Sequence, residues 1–158
     1  MITRRLAEML EAQIESELSA HQTYQGISIY FQRQSLNRWG KLYHDQAVEE
    51  ATHARKIMDF LIDQDVEFDL PALPRSTTTF ASALDAAKAT LASERRVTAQ
   101  FHAMARAAIE ESDHTAFQFL QWFIDEQVEE ERTAQGLVDL VESGINLFQA
   151  EPLLDSFE

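Results

Sequence analysis

Six polar residues occupy positions where helical periodicity predicts a hydrophobic core. They are Glu17, Glu50, His53, Glu94, Gln127 and Glu130. Residues three, four or seven apart share one face of a helix, and Glu17 is three residues after Ile14 and seven after Leu10. A buried carboxylate is costly unless it is paired or bound to a cation. One inward glutamate is explained most simply as a hydrogen-bonded structural residue, but four glutamates and a histidine indicate a metal site.

The six residues also repeat at a fixed spacing. Three pairs are each separated by 77 positions: Glu17 and Glu94, Glu50 and Gln127, His53 and Glu130. Each half of the chain therefore has a glutamate on one helix and then a Glu-x-x-His or Gln-x-x-Glu pair on the next. A pseudo-two-fold arrangement of the halves would bring all six side chains to one level of a helical bundle. A misjudged helix phase, the non-functional alternative, would not produce the same spacing three times.

The charges in this set fit two divalent cations. The glutamates supply four negative charges, which two M²⁺ ions would neutralise, and His53 would bind as a neutral nitrogen ligand. Oxygen ligands with one imidazole suit iron or manganese, and zinc can occupy the same kind of site. A glutamate on each of two helices, with Glu-x-x-His pairs on the other two, is the known ligand pattern of di-iron carboxylate bundles.

Four long amphipathic segments are predicted to position these residues. Apolar residues recur every three or four positions in each segment, which is typical of helices. The first helix breaks near 35–40, and the others span about 39–64, 82–110 and 114–142. Ser82 with Asp85 resembles a capping box at the start of the third helix. In the second helix, Val48 is among the residues predicted to face the core.

A long connection at 65–79 separates two helical hairpins. It contains Pro71 and Pro74 and is too long for a simple turn between neighbouring helices. The sequence therefore predicts an all-α four-helix bundle with one long crossover between helices 2 and 3.

A short apolar tail is predicted to follow the bundle. The bundle is assigned to residues 1–144 and the tail to residues 145–158. The tail has enough apolar residues to pack against other parts of the protein. Pro152 favours a short fifth helix that starts at Glu151, and a longer kinked helix is the alternative.

The composition narrows the classes of function. The chain has 158 residues, no cysteine and a formal net charge of −14. Without cysteine there is no disulfide framework, thiolate zinc site or haem-attachment motif. The negative charge argues against binding to nucleic acid or to an anionic membrane surface. The N-terminal region has no continuous apolar run that would indicate a signal peptide or a membrane span, so a cytoplasmic protein is expected.

In these features the chain resembles the ferritin family, and specifically its haem-free bacterial members. The resemblance extends over nearly the whole chain, including the crossover. It is carried by EAQIESELSAHQTY at 11–24, EEATH at 49–53, SER at 93–95 and FLQWFIDEQVEEE at 119–131. It implies a homo-oligomeric shell of 24 subunits that stores ferric oxide. Each bundle would be a ferroxidase centre that oxidises Fe²⁺ with O₂ or H₂O₂.

The resemblance also implies a role for each ligand. Glu17, Glu50 and His53 would hold the first iron. Glu50 would bridge to a second iron, which Glu94 and Glu130 would bind.

Two further inward residues receive roles from the same resemblance. Gln127 would act at the metal site by hydrogen bonding to a ligand or to the incoming oxygen species. Tyr24 lies two turns from Glu17 on the same helical face and would supply an electron. A core tyrosine that hydrogen-bonds to a carboxylate is an equal and compatible alternative for Tyr24.

A third iron site is implied beside the first two. Glu49, Glu126 and Glu129 match it, with Glu130 shared between the second and third sites. The alternative for the first three is a solvated acidic face, since these helices are rich in glutamate.

Haem is not expected. Haem-binding bacterioferritins have Glu-x-x-His on both hairpins, whereas the second hairpin here reads Gln127-x-x-Glu130. Their haem-ligating methionine corresponds to Thr52.

Two rival functions stay open at this point. One is a di-metal oxidase that acts on an organic substrate, which would need a substrate pocket and a reductase partner. The other is a helical scaffold without catalytic activity, which predicts no stoichiometric metal binding.

Overall fold

Four long helices run through the computed structural model, which describes residues 1–157. They are α1 (Arg4–Gln32), α2 (Asn37–Asp63), α3 (Ala83–Glu110) and α4 (His114–Glu142). A single turn, α5 (Leu147–Ala150), and a 3₁₀ segment (Glu151–Phe157) follow them. α1 packs against α2, α3 packs against α4, and α1 also contacts α3. The predicted all-α bundle with a short fifth helix is confirmed. Within residues 1–157, no helix has the length and hydropathy that a bilayer span requires.

Residues in the left-handed backbone conformation follow the long helices at the breaks expected from the sequence. Ser35, Asp65 and Ser112 follow α1, α2 and α3 with φ of 62°, 57° and 55°, and Gly144 follows α4 with φ of 78°. Such a residue turns the chain out of the helix and lets the next N–H reach back to a free carbonyl. The tight turn at Ser35 brings α2 back along α1, and the turn at Ser112 brings α4 back along α3.

The crossover spans residues 64–82 without helix or strand. It lies directly on the backbone of α1, since a Cβ added at Gly26 would overlap the carbonyl oxygen of Thr77. Ser82 then caps the start of α3. Ser82 Oγ accepts a hydrogen bond from the N–H of Asp85 at 3.1 Å and lies 3.0 Å from its carboxylate.

The apolar core is divided into clusters on either side of a polar layer. One main cluster contains the first half of α1 and the last part of α2, together with residues such as Phe101 and Leu120. The other contains the second half of α1 and the first part of α2, together with Leu137. The polar layer lies between these clusters on every long helix. Val48 is 49% exposed, so its predicted inward orientation is wrong.

The C-terminal tail folds back onto the start of α2. Trp39 Nε1 donates a hydrogen bond of 2.9 Å to the carbonyl of Leu147, and Arg38 forms an ion pair with Asp155. A helix begins at Glu151, as predicted, but it is of the 3₁₀ type. The single α-helical turn α5 precedes it, begins at Leu147 and is capped by the side chain of Asn146.

Candidate metal centre

All six inward polar residues meet in the layer between the two main apolar clusters. Their exposed fractions are 0% for Glu17, 3% for Glu50, 5% for His53, 3% for Glu94, 3% for Gln127 and 9% for Glu130. Each long helix contributes at least one of them. Antiparallel hairpins place the middle of one helix beside the middle of the next, so residues far apart in sequence share one level of the bundle.

The possible ligand atoms form two overlapping triads. One consists of Glu17, Glu50 and His53, and the other of Glu50, Glu94 and Glu130. Within each triad, the atoms lie within 4.8 Å of one another. Glu50 belongs to both, so its two carboxylate oxygens can face two neighbouring cations. Carboxylate oxygens from four glutamates and one imidazole nitrogen form a donor set that suits iron or manganese.

The first triad is compact. His53 Nδ1 lies 3.3 Å from Glu50 Oε2 and 3.8 Å from Glu17 Oε2. Glu17 Oε2 is buried and has no hydrogen-bond partner. A buried carboxylate oxygen without a partner is unfavourable unless a ligand occupies the space that it faces, and a cation satisfies this requirement.

Glu94 is oriented by two neutral donors. Tyr24 donates a hydrogen bond to Glu94 Oε1. Gln127 Nε2 lies 3.1 Å from Glu94 Oε2 and 3.2 Å from the Glu94 carbonyl. Tyr24 therefore adopts the carboxylate-bonded position expected of it, and Gln127 holds a possible ligand in place.

Crowding of buried acids raises their pKa values. Burial and then the neighbouring charges of Glu17 and Glu94 raise the pKa of Glu50. Burial and then Glu94 raise the pKa of Glu130 to about 8. For Glu94, burial raises the pKa, although the hydrogen bonds from Tyr24 and Gln127 oppose the shift. Without a cation, the layer retains protons at neutral pH, and metal binding would release them.

Burial shifts the pKa of the histidine in the layer in the opposite direction to the pKa values of the acids. Burial lowers the pKa of His53, but interaction with the nearby Glu17 carboxylate outweighs this effect, and the net pKa is raised. The acids around His53 therefore favour its protonated form until a cation takes the place of that proton.

An acidic pocket opens beside the layer. It has a volume of about 420 Å³ and is lined in part by Glu49, Glu126, Glu129 and Glu130. Glu126 approaches the layer most closely, since its ligand atom lies within 4.8 Å of those of His53 and Glu130. Glu49 and Glu129 are more exposed on the wall of the pocket. Burial, followed by repulsion from Glu126, raises the pKa of Glu49, and attraction to His53 opposes this shift.

Comparison with known proteins identifies the family. The sequence profile of the family described as "Ferritin-like domain" matches residues 7–143. The chain belongs to the ferritin family. It is 38% identical over 144 residues to ferritin BfrB of Mycolicibacterium smegmatis, which covers 90% of this chain and 80% of that protein. It is 33% identical over 139 residues to a bacterial non-heme ferritin of Staphylococcus epidermidis, which covers 88% of this chain and 84% of that protein.

Solved structures of ferritins superpose on nearly the whole chain. The open-pore ferritin of Archaeoglobus fulgidus matches with a TM-score of 0.91 at 29% identity, covering 99% of this chain and 96% of that one. A humanized archaeal ferritin matches with a TM-score of 0.92 at 28% identity, covering 99% and 94%. These matches include the crossover and the tail, so the full architecture of this ferritin is that of its family.

Sequence reasoning missed Gln13, a neighbour of the polar layer in this ferritin. Gln13 is buried and donates a hydrogen bond of 2.8 Å to Glu17 Oε1. Trp122 packs edge-on against the His53 ring with centroids 5.5 Å apart, and Lys56 lies 4.1 Å from the Trp122 ring centroid. The position of Gln13, four residues before Glu17 on the same helical face, was a signal that could have revealed it.

Proposed function

We propose that this ferritin stores iron and oxidises Fe²⁺ at a di-iron ferroxidase centre in the polar layer. The observation that carries the proposal is the sharing of Glu50 between the two triads of possible ligands. Two Fe²⁺ ions would bind side by side, one to Glu17, Glu50 and His53, the other to Glu50, Glu94 and Glu130. Four carboxylates neutralise four positive charges, so the buried layer becomes electrically balanced when both ions bind.

The chemistry requires two electrons from two neighbouring ions. Two Fe²⁺, one O₂ and two protons yield two Fe³⁺ and one H₂O₂, and H₂O₂ can serve as oxidant for two further Fe²⁺. The protein contributes positioning and charge compensation. Protons that Glu50 and Glu130 hold because of their raised pKa values leave these carboxyls when the cations bind.

Gln127 and Tyr24 support the centre in different ways. The amide of Gln127 holds Glu94 and would hydrogen-bond to the incoming oxygen species. Tyr24 donates to Glu94 and would supply an electron, with Glu94 within reach to accept its hydroxyl proton. Tyr24 and a third Fe²⁺ would each supply one of the two electrons that reduce oxygen from the level of H₂O₂ to water.

The acidic pocket would hold a third iron and connect the centre to the mineral. Glu126, Glu49 and Glu129 would bind this ion together with Glu130. The short separation between Glu126 and the ligands His53 and Glu130 supports transfer of iron through this pocket.

We further propose a homo-oligomeric shell of 24 subunits. Residues 1–144 would form the bundle that contains the centre, and residues 145–158 the tail. Similarity to other ferritins over most of their length supports a common mode of assembly. Haem has no part in the proposal, since residue 52, which corresponds to the haem-ligating methionine of bacterioferritins, is a threonine.

Stopped-flow absorbance tests the ferroxidase function. Metal-free protein is mixed in air with two Fe²⁺ per chain, and Glu50→Ala is measured beside it. A fast ferric phase that saturates near two irons per chain and is abolished in the variant is the expected result. Oxidation at the protein-free rate would reject the ferroxidase function. Because no reductase is added, a reductase-dependent oxidase would also show no fast phase.

A further inference from the structure

Gln13 is a buried polar residue for which the proposed chemistry has no role. It is 2% exposed, in the wall of the layer next to Glu17. Its Nε2 donates a hydrogen bond of 2.8 Å to Glu17 Oε1. The two residues are one helical turn apart on α1, so the helix backbone fixes the distance between them.

This hydrogen bond divides the Glu17 carboxylate into two functionally different oxygens. Oε1 accepts from the Gln13 amide. Oε2 has no hydrogen-bond partner and lies 3.8 Å from His53 Nδ1, inside the first triad. An amide donor cannot compete for a cation, so Gln13 occupies one oxygen and leaves the other directed at the metal position.

The repeat of 77 positions shows that the two halves of the bundle orient their glutamates differently. Glu94 accepts from Tyr24 and Gln127. The residue 77 positions after Tyr24 is Phe101, which has no hydroxyl to offer Glu17. The residue 77 positions after Gln13 is Thr90, whose hydroxyl donates to the Ala86 carbonyl instead. Gln13 therefore performs for Glu17 the task that two other residues perform for Glu94.

We infer that Gln13 is a positioning residue that orients Glu17 for the cation held by Glu17, Glu50 and His53. This inference rests on the proposed function, because it assigns Gln13 a task only if a cation binds there. Residues that hydrogen-bond to metal ligands typically change metal affinity by about 10–100-fold when they are replaced. The effect is confined to one of the two ions, since Gln13 does not bond to the ligands Glu94 or Glu130.

Substitution by methionine isolates the hydrogen bond. Gln13→Met retains an unbranched side chain with high helix propensity and removes the N–H donor. Gln100→Met is the matched control. Gln100 and Gln13 line the same crevice of about 210 Å³ between α1 and α3, and Gln100 Oε1 has no hydrogen-bond partner.

The measurement is an anaerobic titration of the metal-free, full-length protein with Co²⁺, followed by visible absorption. We expect wild type to bind two Co²⁺ per chain and Gln100→Met to bind both ions with the same affinities as wild type. Gln13→Met should bind one Co²⁺ normally and the other about 10–100-fold more weakly. Circular dichroism checks that each variant is folded, and Gln13→Leu replaces Gln13→Met if the latter does not fold.

Three outcomes overturn the inference, and they are distinguishable. If Gln13→Met binds both ions as wild type does, Gln13 does not position Glu17. If both glutamine variants weaken binding equally, the cause is packing of the crevice. If wild type itself fails to bind two Co²⁺ and fails to oxidise Fe²⁺, the proposed function fails and the inference with it.

Discussion

Individual side chains in the polar layer are held in a state that only a cation or protons can stabilise. Glu50, Glu94 and Glu130 are buried within one layer, and burial raises the pKa of each. The same layer raises the pKa of His53 through attraction to Glu17. Desolvated carboxylates repel one another strongly, so protons occupy the metal-free layer at neutral pH. The residues proposed to bind metal are therefore also those expected to make metal binding pH-dependent.

The pH dependence of stability follows from Glu130. Its pKa rises from 4.5 to about 8 on folding, so between these pH values the folded protein binds more protons than the unfolded chain. The free energy of unfolding of metal-free protein should therefore fall by at least ~1 kcal/mol from pH 5 to pH 8. The raised pKa of His53 acts in the same direction. Chemical denaturation at a series of pH values measures this slope, and Glu130→Gln should reduce it. A metal-free protein that is more stable at pH 8 than at pH 5 would contradict the expectation.

Replacement of Tyr24 by phenylalanine tests its role as an electron donor. Tyr24→Phe removes the hydroxyl that bonds to Glu94 and leaves the proposed iron ligands unchanged. The fast ferric phase should persist, and release of H₂O₂ should rise toward one per two irons oxidised at the centre. The reason is that the variant lacks one of the two electrons, from Tyr24 and a third Fe²⁺, that reduce oxygen further. Peroxide assays after addition of three Fe²⁺ per chain measure this release. Tyr43→Phe is the control, since Tyr43 packs edge-on against Tyr24 without bonding to the six residues. Equal release from wild type and Tyr24→Phe would leave Tyr24 with its structural role alone.

The sequence was most informative about the helices and the connections between them. Amphipathic periodicity predicted the four helices, and the long crossover followed from the prolines and the length of the connection. The repeat of 77 positions predicted that Glu17 and Glu94 lie at one level, because two similar hairpins that pack in antiparallel fashion superpose equivalent positions. The orientation of Val48 was predicted wrongly because the buried apolar face of α2 is narrower than the sequence pattern indicated.

Features that depend on contacts between elements were not predictable in this way. The tail helix begins at Leu147 because Asn146 caps it and Trp39 bonds to the Leu147 carbonyl, and neither contact can be inferred from local propensity. The edge-on contact between Trp122 and His53 likewise requires the relative rotation of α2 and α4. Periodicity establishes which face of a helix is buried, but it does not establish which atom on a neighbouring helix a side chain reaches.

Contact between α1 and the crossover yields a prediction for this pair of elements. Gly26→Ala should destabilise the protein, because the added Cβ would overlap the Thr77 carbonyl oxygen and come within 3.2 Å of its carbonyl carbon. Overpacking of this kind costs about 1–3 kcal/mol, against a gain of about 1 kcal/mol from replacing glycine within a helix. Thermal unfolding should show a net decrease in Tm. Gly136→Ala is a milder comparison, since its Cβ would meet the movable ring of Phe157. An increase in Tm for Gly26→Ala would show that the crossover is free to shift.

Along the axis of the whole molecule, the apolar clusters that stabilise the bundle are separate from the polar layer that is proposed to bind metal. Apolar clusters flank the polar layer, and none of the six residues belongs to a cluster. The tail belongs to this arrangement, because Leu154 and Ala150 are buried in the same cluster as Trp39 and Tyr43. Phe157 extends from the tail to the wall of the acidic pocket. The tail therefore stabilises the end of the bundle and borders the route proposed for iron.

Two adjacent leucines in the tail test this separation. Leu154 is 1% exposed and Leu153 is 49% exposed, so truncation to alanine creates a cavity only at Leu154. Leu154→Ala should lower stability by about 2–4 kcal/mol, whereas Leu153→Ala should change it by no more than about 0.5 kcal/mol. Both variants should still bind two Co²⁺ per chain, because no residue of the polar layer belongs to the cluster around Leu154. Thermal unfolding and Co²⁺ titration of the same samples measure the two properties. Weaker Co²⁺ binding by folded Leu154→Ala would mean that the tail and the proposed metal centre are energetically coupled.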